Sequence, residues 1–553
     1  MEYKKTMRAY ERQHVEFPVD SGIDSVVFEG MGQREIRPAF RHQNLRFSYE
    51  RHGYENVFPF GDEVLAARFT PEKEGEYTFR AMKGDECVFS GSFEVTEKAP
   101  GAGFVGVSEK DPRYFALNDG TGFVPVGVNL TGPDSYAAAS GVEFGKTEAR
   151  DTMGAAQYRH WLKEFSANGG NYIRLWLDNF YFTVDHEQID EFDLAGFARL
   201  DRVLDIAREY GVRVKLTFEH FRAFDIVHTN APVFVKTRKA GERACLRADE
   251  WLTEDIWQDA WFRKIDQYLA RYGNDPVVFS FELWNEQNAM DADFGNVAAF
   301  TKKACAYLRK NAPRNMAVNS LGSYDFPAHT KCLDAFKMDE MSYQQFHRYL
   351  DQGAKLAIVT GDPIAFIKEG VHNARRPDRP VILAETGAVN DCHSGTFRYY
   401  SYDHEGIILT DEVYAPFFFE SAGTGQNWHW SSYIEANDLW KYYKPFSDML
   451  QGEDVTEQGL SSHDLSTPAA WILLLEGKDT VYGYVKNTLF NWYNVLRDDN
   501  PVDPVDISFP LPFDGELTLY RPWADDLTGA CAADGEMKVA GMKKGFLFKL
   551  KKK

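Results

Sequence analysis

The sequence predicts an α/β chain built around a (β/α)8, or TIM, barrel, with a β-sandwich domain on either side of it. Three observations carry that reading. Between Phe115 and about Leu450, eight strand-like runs alternate with helix-like stretches. Before Thr96 and after Gly452 the chain reads as short strands without helices. No glycine-rich dinucleotide turn is present, which favours the barrel over a doubly wound sheet.

The first predicted domain is 1–98. Alternating runs at 57–67, 75–81 and 88–95 are broken by Gly, Asp and Glu, and in Glu76–Tyr77–Thr78–Phe79–Arg80 both aromatics fall on one face, as a half-buried sheet requires. Residues 98–103, Lys-Ala-Pro-Gly-Ala-Gly, read as a linker. The barrel is predicted over 110–450, with strands at 123–130, 171–177, 212–218, 277–283, 316–320, 340–345, 381–385 and 426–430. Amphipathic segments at 155–167, 194–209, 257–272 and 296–310 supply helices between them. The excursion 225–255 is too long for a routine connection and is expected to wall the substrate site. A C-terminal sandwich over 455–553 follows from runs at 471–475, 480–485, 516–520 and 546–550.

Composition narrows the partners. A chain of 553 residues with 44% apolar content should form two to four domains. A net charge of -21 disfavours nucleic acid or an anionic membrane and suits a neutral substrate. Tyr (28), Trp (12) and Phe (42) are plentiful, and Tyr and Trp offer flat amphipathic surfaces for sugar rings. The six cysteines are scattered, without zinc spacing or a disulfide framework; the leading reading is metal-free and calls for no cofactor. No stretch has the apolar length of a membrane span. Met1–Glu2–Tyr3–Lys4–Lys5 leads into polar residues rather than a secretory apolar core, which predicts a cytoplasmic protein, a removed leader being the alternative. Oligomeric state is not legible.

Two runs carry the chemistry. Phe279–Ser280–Phe281–Glu282–Leu283–Trp284–Asn285–Glu286 and Val381–Ile382–Leu383–Ala384–Glu385 each read as a buried strand delivering a carboxylate at its C-terminal end. Functional side chains of such barrels gather at those ends. Two facing carboxylates suit sugar cleavage: Glu286 would protonate the leaving oxygen and then activate water, and Glu385 would attack the anomeric carbon. A spacing of about 5 to 5.5 Å would give retention, a wider one inversion. Asn285 is expected to bind the hydroxyl beside the scissile bond. Arg174, in the apolar strand Asn171–Tyr172–Ile173–Arg174–Leu175–Trp176–Leu177, needs a carboxylate partner, and Glu385 is the natural one.

His220 ends strand three, and Tyr343–Gln344–Gln345–Phe346–His347 ends strand six. His220, Tyr343, Gln344 and His347 are read either as contacts to sugar or nucleophile or as supporting core. Alternation sets Tyr343, Gln345 and His347 on one face and Gln344 and Phe346 on the other. Asn129 after strand one and Asp178 after strand two stand on the same terms. In Trp428–His429–Trp430, Trp430 is the preferred platform for a pyranose face, and Trp176 and Trp284 are weaker choices.

With Asn285–Glu286 after strand four, Glu385 on strand seven, Arg174 on strand two, Trp430 on strand eight and the run Gly169–Gly170–Asn171–Tyr172–Ile173–Arg174–Leu175–Trp176, the chain resembles the clan A glycoside hydrolases, the retaining group that includes family 5. The resemblance implies a β-type O-glycosyl hydrolase acting on a neutral oligosaccharide or glycoside, with Glu286 as acid/base and Glu385 as nucleophile. Residues 1–98 resemble the β-sandwich module (domain of unknown function 5060) that precedes such barrels. Many family 5 members carry a His-x-Tyr pair on strand six. Here Gln344 and Phe346 are read at those positions, with Tyr343 or His347 as shifted substitutes. A noncatalytic carbohydrate-binding protein, a structural module and a transglycosylase are the alternatives.

Overall fold

The computed structural model describes residues 1–49, 53–133, 152–179, 181–185, 189–221, 239–240, 243–244, 247–323, 330–391, 394–524 and 526–553. The chain opens with two facing sheets. Thr6–Arg8, Glu86–Thr96, Gly75–Lys83, Ser25–Gly30 and Gln33–Pro38 lie in one, and Gln13–Pro18, Val64–Phe69 and Phe40–His42 in the other. Alternate residues of each point inward, so Val15 and Phe17 meet Val26, Phe28, Tyr77 and Phe79 in one core. The run 57–67 is two strands, not one. Gly53–Pro59 leaves the sheets, pairs with Leu45–Tyr49, and reaches Thr152–Met153 in parallel.

Polar contacts fix these sheets to the central region. Arg37 donates to the carbonyls of Leu269 (2.9 Å) and of the C-cap Gly273 (2.8 Å) at the end of the helix Asp255–Tyr272, adding a second donor to the Leu269 oxygen that Gly273 N already bonds. Arg68 grips Asp201 of the helix Leu194–Glu209 through two bonds of 2.7 and 2.6 Å.

The strands of the central region are β1 (Gly127–Asn129), β2 (Tyr172–Trp176), β3 (Arg213–His220), β4 (Val278–Asn285), β5 (Met316–Val318), β6 (Gln344–Asp351) and β7 (Val381–Asn390). β1 to β5 form one parallel sheet in chain order, and β6 pairs in parallel with β7. Ser342 N donates to Ala317 O (2.8 Å), linking β5 to the entry of β6. Thr386 bridges in parallel to Asn427, whose carbonyl accepts from Asn129 N (3.1 Å). Hydrogen bonds thus return from the last segment to β1.

Helices pack outside these strands. Asp193, Asp293 and Asp362 each cap a helix by accepting from a backbone N–H of its first turn. Strands covered on both faces are buried throughout, and every residue of β4 and β6 is. After residue 460 two further sheets enclose a core of Ile472, Val485, Phe509, Met537, Val539 and Phe548. Lys486 and Tyr484 of the first of these sheets both bond Asp411, buried on the helix Ile407–Phe418. Among the described residues, no helix is long and apolar enough to cross a membrane.

Three strand expectations need correction. Strand one is confined to Gly127–Asn129, because Gly122–Phe123 turns back to pair with Phe115–Leu117. Residues 426–430 hold a single bridge at Asn427 before a π-helix over Trp430–Glu435. Strand six runs over Gln344–Asp351, not 340–345, since 339–343 is turn and bend. That shift changes the site.

Candidate active site

Glu286 and Glu385 meet above one end of the parallel strands. One carboxylate oxygen of each, together with a ring nitrogen of His347, lies within 4.8 Å of the others. That separation suits the shorter of the two glycosidase geometries, about 5 to 5.5 Å rather than 6.5 to 9.5 Å. Local backbone devices aim both groups. Glu286 follows β4 in the left-handed region (φ 53°), sparsely used by residues with a Cβ, and its N–H donates to Ser320 Oγ (3.0 Å). Gly322 leaves room for it, since a Cβ there would sit 3.3 Å from the Glu286 carboxyl carbon. On β7 the pairing skips Ala384, so that Phe346 faces Leu383 and His347 faces Glu385. Such a bulge re-aims the next side chain.

Arg174 holds this arrangement from β2. Nη1 donates to Glu385 Oε2 (2.6 Å) and Asn129 Oδ1 (3.4 Å), Nη2 to Asn285 Oδ1 (2.6 Å) and Glu282 Oε1 (3.0 Å), and Nε to Glu282 Oε2 (2.7 Å). All five guanidinium N–H groups are engaged. The predicted Arg174–Glu385 contact is present, but sequence reasoning missed Glu282. It also missed Lys215 on β3, whose Nζ lies 3.5 Å from Glu282 Oε2 and donates to Gln345 Oε1 (2.6 Å). Both had a signal: an ionised residue inside an apolar strand needs a partner, as the argument for Arg174 already required. Burial opposes ionisation of Glu282, yet Arg174 and then Lys215 hold its carboxyl well below the usual carboxylate range.

On β6, His347 Nδ1 contacts Glu286 Oε1 (2.9 Å), and Tyr349 donates to Glu385 Oε1 (2.6 Å). Burial lowers the His347 pKa to about 4, so its imidazole is neutral near pH 7, and burial raises Tyr349 so that it stays a phenol. His347-x-Tyr349 is therefore the His-x-Tyr pair of strand six. The reading at Gln344 and Phe346 is overturned because strand six extends further than predicted. Tyr343 is corrected with it: its hydroxyl meets Ser280 (2.9 Å) and its ring packs on Phe115, at the opposite end of the strands. Gln344 is buried at the start of β6, pairs with Val381, and takes no part in the site.

The other expected residues divide. Asn129 is a clamp, its Nδ2 donating to Gln426 O (2.9 Å) and Ala384 O (3.2 Å). Asp178 accepts from the His220 backbone (2.8 Å) and contacts its ring, which stacks on Trp176 (5.2 Å, 16°). Neighbouring Glu219 turns to Trp261 and Lys264. Trp430 is corrected as a platform: it is 8% exposed and packs on Trp161 at 6.2 Å. Trp428 is partly exposed and lies 4.8 Å from Trp176, giving the aromatic wall at the opening. Trp284 is core. The excursion 225–255 lies largely outside the described residues, and its final turn packs Trp251 on Trp284 (5.4 Å).

Two clusters among the described residues have the spacing to share a cation, Glu286–His347–Glu385 and His14–Glu16–His42. In the first, Arg174 and Tyr349 already occupy both oxygens of Glu385. In the second, Arg68 Nε donates to His14 Nδ1 (3.1 Å), which places the ring proton on Nε2, towards Glu16 (3.0 Å), where a cation would need a lone pair.

Residues 137–404 match the family model described as Cellulase (glycosyl hydrolase family 5). The chain is 25% identical over 162 residues to mannan endo-1,4-beta-mannosidase A of Emericella nidulans, a match covering 28% of this chain and 40% of that one. It is 21% identical over 355 residues to mannan endo-1,4-beta-mannosidase F of Aspergillus clavatus, covering 56% and 78%. A solved structure from Bacteroides vulgatus ATCC 8482, described as a candidate glycoside hydrolase, is similar over 99% of this chain and 100% of that one, with TM-score 0.59 and 14% identity. That last likeness speaks to fold alone, and with the family match it implies a TIM barrel. Over residues 137–404 the chain is thus similar to the glycosyl hydrolases of family 5, in clan A.

Proposed function

We propose that the chain hydrolyses a β-linked mannoside by double displacement, with Glu385 as nucleophile and Glu286 as acid/base. The single observation that carries the residue roles is the close approach of the two carboxyls with Arg174 and Tyr349 on one and neutral His347 on the other. Glu385 attacks the anomeric carbon while Glu286 gives its proton to the leaving oxygen. Glu286 then takes a proton from the water that frees the sugar. Arg174 sets its positive charge against Glu385 and donates directly to Oε2, on the carboxylate that attacks. Neutral His347 can donate Nδ1–H to Glu286 without adding a charge that would drive the acid's proton off. The Arg174 bond to Asn285 Oδ1 leaves the amide Nδ2 as the end that binds the 2-hydroxyl.

The mannoside preference is supported by the two mannosidase relatives, and the Trp176–Trp428–His220 wall supports stacking of a neutral pyranose. We place domains at 1–98, 110–450 and 455–553, the outer two as β-sandwiches, on the strength of the separate cores on either side of the barrel. A screen of aryl β-glycosides of mannose, glucose, galactose, xylose, arabinose and fucose tests the substrate, with NMR on the first-formed product anomer. The mannoside should be cleaved fastest and with retention. Inversion would overturn the double displacement.

A further inference from the structure

Two buried charges beneath the carboxyl pair have no role in the reaction as written. Glu282 and Lys215 are fully buried, and Thr217 Oγ1 (2.6 Å) and Gln345 Nε2 (2.7 Å) add hydrogen bonds to the Glu282 carboxylate. A buried carboxylate bound in a bidentate manner to Arg174 fixes the guanidinium plane, but it also divides that cation's charge between two anions. With Glu282 and Glu385 both ionised, Arg174 alone would leave the cluster one positive charge short. Burial lowers the Lys215 pKa to about 7 against the pull of Glu282, so across the acid range its ammonium is charged and restores the balance.

We propose that Lys215 and Glu282 are positioning residues for the nucleophile: Glu282 orients Arg174, and Lys215 neutralises Glu282 so that the charge of Arg174 is left to Glu385. The inference rests on the reading of Glu385 as nucleophile. The other titratable groups facing the cluster are Glu286 just after β4 and His347 and Tyr349 from β6, with Tyr172 and Tyr343 beneath. With Lys215 gone, Glu282 retains Arg174, Thr217 and Gln345 as donors, so the missing charge is felt at Glu385. With Glu282 neutralised, both cations serve Glu385 alone.

The two changes therefore move the nucleophile in opposite directions, which loss of packing would not do. The probe is the 2,4-dinitrophenyl β-glycoside that the unmodified enzyme cleaves fastest. Its leaving group needs no proton, so the acid limb of kcat/KM reports Glu385 in the free enzyme. Lys215→Gln and Lys215→Met should raise that limb by about one pH unit, and Glu282→Gln should lower it by a similar amount. The double variant Lys215→Met/Glu282→Gln should return close to the starting position. If neither Lys215 variant folds, the downward shift in Glu282→Gln carries the test by itself. The 2-deoxy-2-fluoro analogue of the same dinitrophenyl glycoside separates the two readings by trapping the nucleophile for peptide mapping. Label on a residue other than Glu385 would sink the nucleophile assignment and this inference together. Label on Glu385 with limbs that stay put, or that move the same way in both single variants, would sink the inference alone.

Discussion

Along β4, Ser280 and Glu282 face the same interior one pleat apart, yet they belong to different environments. Ser280 meets Tyr343 in an aromatic layer where Phe279 packs on Tyr172 (4.7 Å) and Phe115 (5.0 Å). Glu282 meets Arg174, Lys215, Thr217 and Gln345. The lower layer is what burial favours, since each large aromatic removed from water stabilises the fold by about 1.5 to 3 kcal/mol. The upper layer is not, because well-packed apolar groups often serve stability as well as buried ion pairs do. The same strands therefore hold a structural end and a chemical end, and a substitution should reveal which it touches.

The largest expected effect is on rate. Glu385→Gln should cut kcat by at least about 10^4-fold, with thermal unfolding close to that of the unmodified protein. Activity within tenfold would remove Glu385 from its role. Glu286→Ala should slow poor leaving groups most and dinitrophenyl glycosides least, read from a series of aryl glycosides. Equal losses across the series would count against its role as acid.

Next come two variants of similar cost in stability and opposite effect on rate. Arg174→Met leaves Glu385 without its cation and Glu282 with Lys215 alone, and should cost about 3 to 5 kcal/mol as well as turnover. Phe279→Ala opens the aromatic layer and should cost about 3 to 5 kcal/mol, while the folded fraction keeps its kcat. Denaturant titration beside active-site-normalised rates checks both. A Phe279→Ala enzyme that folds but has lost its kcat would erase the distinction between the two ends.

The chemical end was partly legible, and the reason is spacing. Glu286 and Glu385 each stand at the end of an apolar run, and Arg174 interrupts another, so their burial and need for partners could be read directly. Strand six could not be placed that way. Gln344–Gln345–Phe346–His347–Arg348–Tyr349 has too many polar residues to look like a buried strand, because its inward side chains serve the site rather than the core. Ending it at Gln345 hid Tyr349 and brought Tyr343 forward. Trp430 and Trp428 were exchanged for a related cause: strand eight stops at one bridge, so the residue that ends it is earlier than its length suggests. Strand alternation on β6 held, and Gln345 and His347 do face inward.

His347 gives a pH test of the upper layer. The unfolded imidazole takes up a proton near pH 6.5, whereas the buried one resists until about 4. Between those values the unfolded chain binds more protons than the native one, so native stability falls as pH falls. The gap of about 2.5 pH units corresponds to about 3 kcal/mol lost by pH 4. Urea titrations at pH 7, 5.5 and 4 should show that decline in the unmodified protein and a smaller one in His347→Gln. Parallel declines would mean the ring gains its proton in the native state without penalty.

The smallest effects come from the two tyrosines that β6 and its entry present at opposite ends, and they make the closest comparison. Tyr349→Phe removes a phenol that donates to Glu385 at 2.6 Å, and Tyr343→Phe removes one that meets Ser280 at 2.9 Å. Each deletes one hydroxyl and leaves the ring, so packing changes little and a single hydrogen bond of about 1 kcal/mol is at stake. At the upper end that energy is drawn on when Glu385 changes charge during attack, so kcat should fall about tenfold with little change in Tm. At the lower end it is spent only on folding, so Tyr343→Phe should lose about 1 kcal/mol of stability and no rate. If Tyr343→Phe slowed turnover as much as Tyr349→Phe, the aromatic layer would be coupled to the chemistry above it and the division between the two ends would fail.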